Sequence, residues 1–476
     1  MCSDPSFTLA IIGGGASGCL LAAQLLRRAR APRRILLIER MTDLGRGVAY
    51  GTACREHLLN VPAGRMGAFP EEIDGFLRWV GMHAGEPGFP AAVDAGDFLP
   101  RTLYGDYLRH VLAEARLGAA PGMEFEAVKG EVVDIEDESG ARRIRCGDGR
   151  AFAAGRIVLA IGHLAGEYPI RKPLPVYHSQ RYVHVPWRPG ALAGIPRDAA
   201  VLIVGAGLTA VDLIVELHAA GHCGMIHALS RRGLQPQVHR PAPPYPHYID
   251  TGRPPATVRE LVRRVRTEVR SAAARGIDWR PVLDALRPQS AALWRAWSWT
   301  ERARFLRHVR PFWEVHRHRL APPVAATVEA RRAEGRLQFY AGRLTKLVEV
   351  AGGAEAQFRT RRTGKLVNVR VDRVINCTGP RTDYSKYQHP LLINLLARGL
   401  IDHDPLALGV QADPDGSVLR YRAGPSGWLY TLGAPLKGGL WECTAIPEIR
   451  DQAAALAETL LRSVGEPAAQ PVPAPV

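Results

Sequence analysis

The chain has 476 residues, which is long enough for two or three domains that each bury a core. Hydrophobic residues make up 46% and charged residues 23%, which excludes a disordered chain, and 48 glycines and 37 prolines predict many tight turns. The net charge is +16, yet only six of the 62 basic residues are lysines, so arginine carries the excess. The seven cysteines are scattered, with no CxxC pair and no metal-ligand spacing, so we expect a reducing cytoplasm and no metal site.

The first apolar run, residues 7–12, is too short for a signal sequence or a membrane span, so we expect neither export nor a spanning helix. It leads into a glycine turn, a helix near residues 19–30 and a second apolar run at 35–38, the order of a strand–helix–strand unit. The same order returns at residues 201–204, 211–218 and 225–229. The sequence therefore predicts two mononucleotide-binding units.

The first glycine loop is Gly13-Gly-Gly-Ala-Ser-Gly18, a GxGxxG pattern that follows a strand and opens a helix. Glycines in this pattern let the backbone approach a pyrophosphate at the helix N-terminus. Glu39 ends the next apolar run, where a carboxylate accepts hydrogen bonds from ribose hydroxyls. We predict a dinucleotide site that includes Gly13, Gly15, Ser17, Gly18 and Glu39. The alternative is a glycine turn that only lets helix and strand pack closely, with Glu39 as a surface acid.

The second glycine loop, Gly205-Ala-Gly-Leu-Thr-Ala210, is the GxGxxA variant, and its second strand ends in Ser230-Arg231-Arg232 with no acid at the ribose position. Guanidinium groups pair with a 2′-phosphate, whereas a carboxylate would repel it, so we predict NADPH rather than NADH. The alternative is that Arg231 and Arg232 are merely two of many arginines. The predicted contacts are Gly205, Gly207, Thr209, Ser230, Arg231 and Arg232.

Elsewhere in the chain, periodicity predicts strands at residues 124–135, 142–146, 337–340, 367–376 and 428–432, and a helix at 105–115. Residues 433–439 are predicted to be a loop and 447–462 a helix, with Pro447 suited to the first helical turn. The tail, residues 466–476, is predicted to be disordered.

A helical insertion is predicted after the Pro-rich loop at residues 235–255, because Val258, Leu261, Val262, Val265 and Val269 share one apolar helix face. Residues 253–319 contain 16 arginines, six acidic residues and several tryptophans. An amphipathic packing layer is the interpretation we favour. The alternatives are a pocket wall that attracts an anionic substrate and a surface that stacks nucleic-acid bases, but no nucleic-acid motif accompanies it.

Residues 158–162 and 374–379, with the sequences VLAIG and VINCTG, each end an apolar strand in a glycine. Over most of the chain, the order of motifs closely resembles that of the FAD and NAD(P)H disulfide-reductase-like superfamily: GxGxxG, acid, AxG, GxGxxA, basic end and NCTG. The resemblance implies FAD at the first loop, NADPH at the second, and crossings between domains near Gly162 and Gly379. A redox-active cysteine pair is missing, because Cys54 is alone and Cys377 and Cys443 are far apart in sequence.

This resemblance implies an α/β fold with two Rossmann-like domains, in which the NADPH-binding domain is inserted into a discontinuous FAD-binding domain. We predict the FAD-binding domain at residues 1–195 and 371–465. The NADPH-binding domain is predicted at 196–370, and it includes the helical insertion at 253–325.

A closer resemblance rests on Gly47-Val-Ala-Tyr-Gly-Thr52, His57-Leu-Leu-Asn-Val-Pro-Ala63, the Phe-Pro pair at 69–70 and the FLRW stretch at 76–79. These motifs are similar to those of a large bacterial family of NAD(P)/FAD-binding proteins. By this resemblance Asn60, Arg65 and Met66 lie on a segment that approaches the flavin, and Asn60 is the candidate catalytic side chain. The alternative is a buried asparagine that holds a loop.

The same resemblance places Gly433 at the flavin and aims the helix at 447–462 toward it, although Ala434 stands where the usual Asp would be. The N-terminal partial charge of that helix would stabilise an anionic reduced ring. We assign no catalytic role to His57, His163 or His178, because no spacing or partner distinguishes them.

The family resembles, more distantly, the N-hydroxylating and Baeyer-Villiger flavin monooxygenases. Tyr177-His-Ser-Gln-Arg-Tyr182 is similar to the HSxxY part of their linker signature, but Lys172 and Leu174 replace its upstream Phe and Gly. We predict an FAD- and NADPH-dependent oxidoreductase, and favour a monooxygenase that uses O2 and a flavin hydroperoxide to hydroxylate a small polar substrate such as an amine. The alternatives are a reductase or oxidase without oxygen insertion, and a non-catalytic flavoprotein that binds a partner or nucleic acid through the insertion.

Overall fold

The computed structural model describes residues 8–41, 43–138 and 141–462. The tail predicted to be disordered, residues 466–476, lies outside them. The first predicted unit is present: the apolar strand is buried at every position, and the helix after the glycine loop returns the chain to a parallel second strand. The elements up to residue 159 are β1 (Thr8–Ile12), α1 (Ala16–Arg28), β2 (Arg33–Glu39), α2 (Gly47–Tyr50), α3 (Gly75–Met82), α4 (Arg101–Leu117), β3 (Met123–Lys129), β4 (Val132–Glu138), β5 (Ala141–Cys146), β6 (Ala151–Ala153) and β7 (Arg156–Leu159).

The second unit has the same order. After β8 (Tyr182–Val183), its strand–helix–strand core is β9 (Val201–Val204), α5 (Leu208–Ala219) and β10 (Ile226–Ser230). A run of helices follows: α6 (Val258–Ala274), α7 (Trp279–Asp284), α8 (Ser290–Ala296), α9 (Trp299–Arg304), α10 (Arg310–Arg317) and α11 (Pro322–Ala333). The remaining elements are β11 (Leu337–Val350), β12 (Gly353–Thr360), β13 (Leu366–Val371), β14 (Arg373–Asn376), α12 (Pro390–Ala397), β15 (Ser417–Arg420), β16 (Gly424–Thr431), α13 (Lys437–Leu440) and α14 (Ile446–Arg462).

The strands form two main sheets. The six-stranded sheet has the order β15-β16-β7-β1-β2-β3, and we call it, with the small sheet β4-β5-β6 and the helices packed on them, the first domain. The seven-stranded sheet, β13-β12-β11-β10-β9-β14-β8, is the centre of the second domain. The predicted α/β fold with two dinucleotide-binding domains is confirmed.

The predicted domain limits stay a prediction, but two strands that they assign to the first domain pair with the sheet of the second domain. β8 and β14 both belong to the seven-stranded sheet, although the limits at residues 195 and 370 assign them to the first domain. At the insertion, α11 packs its Val324 and Val328 into the core around α5. The helices α6 to α10, which we call the helical insertion, pack around a separate core that they share with Leu408 and Trp441.

Three predicted elements differ in detail. Residues 124–135 are two strands in different sheets, because the chain breaks at Gly130, whose N–H donates to the Glu39 carbonyl oxygen. Residues 367–376 are likewise two strands, β13 and β14, with opposite pairing directions. The predicted loop at 433–439 was wrong in part, since it contains a 3₁₀ turn at Ala434–Leu436 and the start of α13. A residue of α8 contacts α13: the Trp294 indole donates to the Gly438 carbonyl oxygen at 2.7 Å.

Two tryptophans of the helical insertion are core residues, whereas Trp299 is 48% exposed. Trp294 and Trp297 are 1% and 5% exposed, and the Trp297 indole donates to the Pro255 carbonyl oxygen at 2.9 Å. Their rings therefore offer no open face on which a base could stack. No helix among the described residues is both long and apolar enough to cross a membrane.

Candidate dinucleotide sites

The first glycine loop brings its predicted residues together at the carboxyl end of β1. A Cβ atom added to Gly18 would lie 1.9 Å from the Gly13 carbonyl oxygen, and Gly13 itself has a φ of 107°. The Glu39 carboxylate accepts hydrogen bonds from the N–H groups of Gly14 at 2.6 Å and Met41 at 2.8 Å. The loop is thus a close-packed turn with a fixed carboxylate at its rim.

The C-terminal segment closes on this loop from the other side. Gly433 has a φ of 75°, and a Cβ atom there would lie 2.8 Å from the Ser17 hydroxyl oxygen. Its N–H donates to Oε1 of Gln452, on α14, at 2.8 Å. Sequence reasoning did not find Gln452, because a single glutamine on a helix carries no signal of a partner so far back in the chain. Gly433 and Ser17 therefore share one site, together with Gly15 at the N-cap of α1.

Asn60, Arg65 and Met66 do not share one environment. The Asn60 side chain is half-buried, and its backbone oxygen accepts a hydrogen bond at 3.1 Å from Nε2 of His239, which belongs to the loop after β10. Arg65 is exposed at the end of a 3₁₀ turn. The Met66 side chain is 1% exposed within the first domain's core, so a cofactor contact there would have to come from its backbone. Asn60 alone of the three lies where the two domains meet.

The two connections between the domains run side by side. Leu164 and Arg381 form an antiparallel bridge, and the Arg381 N–H donates to the Leu164 carbonyl oxygen at 3.3 Å. Gly162 and Gly379, predicted at these crossings, have positive φ angles of 64° and 90°. The next residue, His163, has its pKa lowered to about 4, first by desolvation and then by the positive charge of Lys437. The His163 imidazole is therefore neutral at neutral pH.

The second glycine loop has an open front. A Cβ atom added to Gly205 would lie 2.1 Å from the Cys377 carbonyl oxygen, so the back of the loop is packed against β14's end. At Gly207, the N-cap of α5, an added Cβ atom would meet nothing within 4 Å. Thr209 is half-buried in the first turn of the helix. Approach to the helix N-terminus is therefore unobstructed, as an anion-binding loop requires.

Ser230, Arg231 and Arg232 have three different roles at the end of β10. The Ser230 hydroxyl accepts from the Gly233 N–H at 3.0 Å and closes the turn. Arg232 donates to the Arg307 carbonyl oxygen at 3.2 Å, and its guanidinium group lies 5.5 Å from the centre of the Phe312 ring. The exposed Arg231 has no hydrogen bond or ion pair of its side chain within the described residues. It is the predicted phosphate ligand that remains available.

Positive charge gathers around Arg231. Its pKa is lowered first by desolvation and then by Arg310, on α10, and by Arg232. Arg343, on β11, adds to this effect, and only Glu314 opposes it. Sequence reasoning missed Arg310 and Arg343 because they are far from residue 231 in the chain. Beside this cluster, a cleft of about 620 Å³ is lined by Arg232, Gly233, Gln235, Glu329, Arg332 and Phe339, among others. Repulsion among these guanidinium groups is what a bound phosphate would relieve.

The six described cysteines are all unpaired. Cys377 and Cys443 are buried, and burial raises the pKa of both thiols, that of Cys443 to about 12. Such thiols are not nucleophiles at neutral pH. No group of three or more metal-ligating side chains occurs within the described parts of the chain.

Two mixed sheets in one chain, each with a parallel core whose carboxyl end has a glycine loop and a helix N-terminus, define the fold of a two-dinucleotide flavoprotein. Within it, residues 10–164 match the model of a protein family described as FAD-NAD(P)-binding. The first domain therefore contains an FAD/NAD(P)-binding domain, as the sequence motifs predicted. No sequence of a curated protein matches the chain.

Solved structures share the fold over nearly the whole length. L-lysine 6-monooxygenase from Pseudomonas syringae is 17% identical, with a TM-score of 0.63 over 96% of this chain and 99% of that one. Ornithine N-hydroxylase from Kutzneria sp. 744, solved with reduced FAD, NADP⁺ and L-ornithine, is 14% identical, with a TM-score of 0.61 over 95% and 98%. Thioredoxin reductase from Lactococcus lactis is 13% identical, with a TM-score of 0.51 over 96% and 99%. At these identities the likeness is one of fold.

Proposed function

We propose that the protein is an FAD- and NADPH-dependent oxidoreductase, and within that class a flavin monooxygenase that hydroxylates a small polar substrate, an amine or an amino acid. The observation that supports this most is the pairing of two glycine loops in one chain: a fixed carboxylate, Glu39, lies at the first, and Arg231 with its neighbouring guanidinium groups ends the strand that follows the second. An acid at one ribose position and arginines at the other favour two different dinucleotides.

The first loop fits FAD. Gly13, Gly14 and Gly18 leave no room for side chains, and the backbone N–H groups at the start of α1 would lie close to a pyrophosphate. Glu39 is fixed at the rim, where it would accept from ribose hydroxyls. Gly13, Gly15, Ser17, Gly18 and Gly433 would line the cofactor, and Gly162 would lie where the chain leaves the first domain. Bound flavin would supply the acceptance of hydride and the reaction with O2.

The second loop fits NADPH. Gly205, Gly207 and Thr209 would hold its pyrophosphate at the start of α5, and Gly379 lies at the return crossing. Arg231 would pair with the 2′-phosphate, assisted by the field of Arg310 and Arg343. Ser230 would contribute mainly by closing the turn, because its hydroxyl already accepts from Gly233.

The finer part of the proposal, hydroxylation of an amine, draws on the related folds of the ornithine and lysine hydroxylases. In this chain, Asn60 is the candidate side chain beside the reacting atoms. It lies at the domain junction, and its backbone is held by His239 from the second domain. A half-buried amide at that point can donate to or accept from a polar substrate without adding charge.

The test uses the purified, FAD-loaded protein. NADPH added without oxygen is expected to bleach the flavin absorbance, and oxygen is then admitted with L-ornithine, L-lysine or cadaverine present. The proposal predicts substrate that has gained one oxygen atom, measured by mass spectrometry, in proportion to the NADPH consumed. Release of H2O2 in full proportion to NADPH with every amine would refute hydroxylation but leave an oxidase or reductase. Failure of NADPH to bleach the flavin would refute the whole proposal.

A further inference from the structure

The two domains meet at a buried polar cluster that none of the cofactor assignments uses. His57, in the HLLNVPA motif of the first domain, is 1% exposed. Its Nε2 lies 3.0 Å from the backbone oxygen of Asp212 and 3.6 Å from Oε2 of Glu216, both on α5 of the second domain. Its Nδ1 lies 2.7 Å from the Thr52 hydroxyl oxygen.

The neighbours of His57 engage both of its ring nitrogens. Nε2 faces the Asp212 carbonyl oxygen and the Glu216 carboxylate, which accept. Nδ1 faces the Thr52 hydroxyl, whose oxygen also accepts from the Cys54 N–H at 3.1 Å. His57 therefore links the two domains with both ring nitrogens hydrogen-bonded.

An ion pair reinforces this link at the same point of α5. The Asp212 carboxylate lies 2.9 and 3.0 Å from Nη2 of Arg101, at the start of α4, and the two side chains are 8% and 14% exposed. Nε of Arg101 donates to the Leu58 carbonyl oxygen at 3.1 Å, and the Arg101 N–H donates to the His57 carbonyl oxygen at 2.8 Å. Arg101 thus joins the HLLNVPA motif to α5, and Asp212 is held through both its backbone and its side chain.

Two further contacts surround the cluster. The Trp187 ring, from the connection between the domains, meets the His57 ring edge-on at 5.6 Å. His239 bonds to the Asn60 backbone, and its ring lies 4.8 Å from that of Phe98. The HLLNVPA motif therefore contacts the second domain at two points, His57 and Asn60.

α5 is the helix that begins at the second glycine loop, and Asp212 lies only five residues beyond Gly207. The contacts of Arg101 and His57 with Asp212 therefore also fix the orientation of the α5 N-terminus relative to the first domain. Burying a charged pair has a large desolvation penalty, and hydrophobic packing could join two domains without that penalty. What hydrogen-bonded ion pairs add is a defined geometry.

We propose that His57, Arg101 and Asp212 are positioning residues that lock α5 and the second glycine loop at one orientation to the first domain. Hydride transfer then proceeds without rotation of the second domain. The kinetic part rests on the proposed function, whereas the fixed orientation does not.

The test measures orientation and reaction separately. Asp212→Asn keeps the volume and the backbone contact of His57 but removes the charge that faces Arg101. Orientation is followed by spin labels on cysteines placed at Leu117, 88% exposed on α4, and Leu366, 50% exposed on β13, with exposed Cys223 replaced by Ser. Reaction is followed as the limiting rate constant of anaerobic flavin reduction at saturating NADPH.

We expect one narrow distance distribution in the parent protein and a broadened one in Asp212→Asn. The reduction rate constant should fall about 10- to 100-fold, because misplacement of reacting groups by about 1 Å has effects of that size. The NADPH concentration that gives half the limiting rate should change less than about twofold, since the Asp212 side chain is engaged with Arg101 of the first domain. His57→Gln, which can still donate to the Asp212 carbonyl, should give an intermediate result, and it carries the test if Asp212→Asn does not fold.

The matched control is Asp134→Asn, which removes one side of the Arg398–Asp134 pair inside the first domain, with N–O distances of 2.6 and 2.7 Å. It should lower the melting temperature without changing the distance distribution or the reduction rate constant. An unchanged distribution and rate in Asp212→Asn and His57→Gln would overturn the proposal. If NADPH reduces none of the proteins, the proposed function fails, and the distance distributions alone decide whether the domains are locked.

Discussion

Replacing Arg231 by alanine tests the assignment of NADPH to the second loop. Arg231 is exposed, while its neighbour Arg232 is already engaged with the Arg307 carbonyl and the Phe312 ring. A hydrogen bond to a charged group contributes about 1.5–3 kcal/mol. Loss of the contact to a 2′-phosphate should therefore weaken NADPH binding by about 10- to 150-fold, since 1.4 kcal/mol is a factor of ten. NADH, which has no 2′-phosphate, should change less than about twofold.

The arginine cluster also leads to a prediction of how Arg231→Ala changes the stability of the nucleotide-free protein. Arg310, Arg232 and Arg343 all disfavour the charge on Arg231. Removing that charge should leave the free energy of unfolding unchanged or raise it by up to about 0.5 kcal/mol. The same substitution thus weakens the complex without weakening the fold. Arg232→Ala should affect NADPH less than Arg231→Ala, because its guanidinium group has other contacts.

The assay is anaerobic flavin reduction over a range of NADPH and NADH concentrations, repeated at increasing salt. The selectivity for NADPH should itself decline with salt, since the contact is exposed. Arg143→Ala, an exposed arginine on β5, controls for the change in net charge. Equal losses for NADPH and NADH in Arg231→Ala would refute the assignment.

Three other predictions concern stability. Gly18→Ala places a methyl group against the Gly13 carbonyl oxygen and should cost about 1–3 kcal/mol and lower the FAD content, whereas Gly81→Ala, with nothing within 4 Å of its Cβ, should stabilise α3 by about 0.5–1 kcal/mol. Thermal melting checks both, and equal shifts would contradict the packing argument. Desolvation lowers the pKa of His239 from 6.5 to about 4, so the folded protein binds fewer protons than the unfolded chain between these values. Stability should therefore fall as the pH drops from 6.5 to 4, and His239→Gln should flatten that decline by at most about 3 kcal/mol, measured by urea unfolding at each pH. Trp294→Ala should destabilise the protein by about 3–5 kcal/mol with NADPH affinity unchanged, and a lost affinity would mean that the insertion's core also shapes the nucleotide site.

The glycine loops could be predicted because local rules govern them. Gly18 is required because its backbone touches the Gly13 carbonyl oxygen, a contact within the loop that the GxGxxG spacing itself encodes, whereas the close contact of Gly13 is with Ala160 in a distant part of the chain. The apolar strands before them, such as β1, are buried at every position, which gives a strong local signal. The strand–helix–strand order and the fold class follow from these signals.

Partners from distant parts of the chain could not be predicted. Arg343 comes near Arg231 because β11 pairs with β10, and Gln452 reaches Gly433 because α14 returns to the first domain. No local pattern at these residues marks the contact. β12 was missed for a related reason: the sequence GAEAQFRT has little strand propensity, and pairing on both sides with β11 and β13 stabilises it. His57 received no role from the sequence because its partners, Asp212 and Glu216, belong to another domain.

The pairing of β7 with β16 has a consequence for how the chain is made. The Thr431 hydroxyl donates to the Leu159 carbonyl oxygen at 2.7 Å, and these two residues are 272 positions apart. At 5 to 20 residues per second, the ribosome needs about 15 to 55 s to deliver the second strand after the first. During that time the second domain can fold to completion, while β7 keeps an unpaired edge. The order of synthesis therefore makes the first domain the last to be finished, and its waiting strand is the point at which the nascent protein most needs protection from other chains.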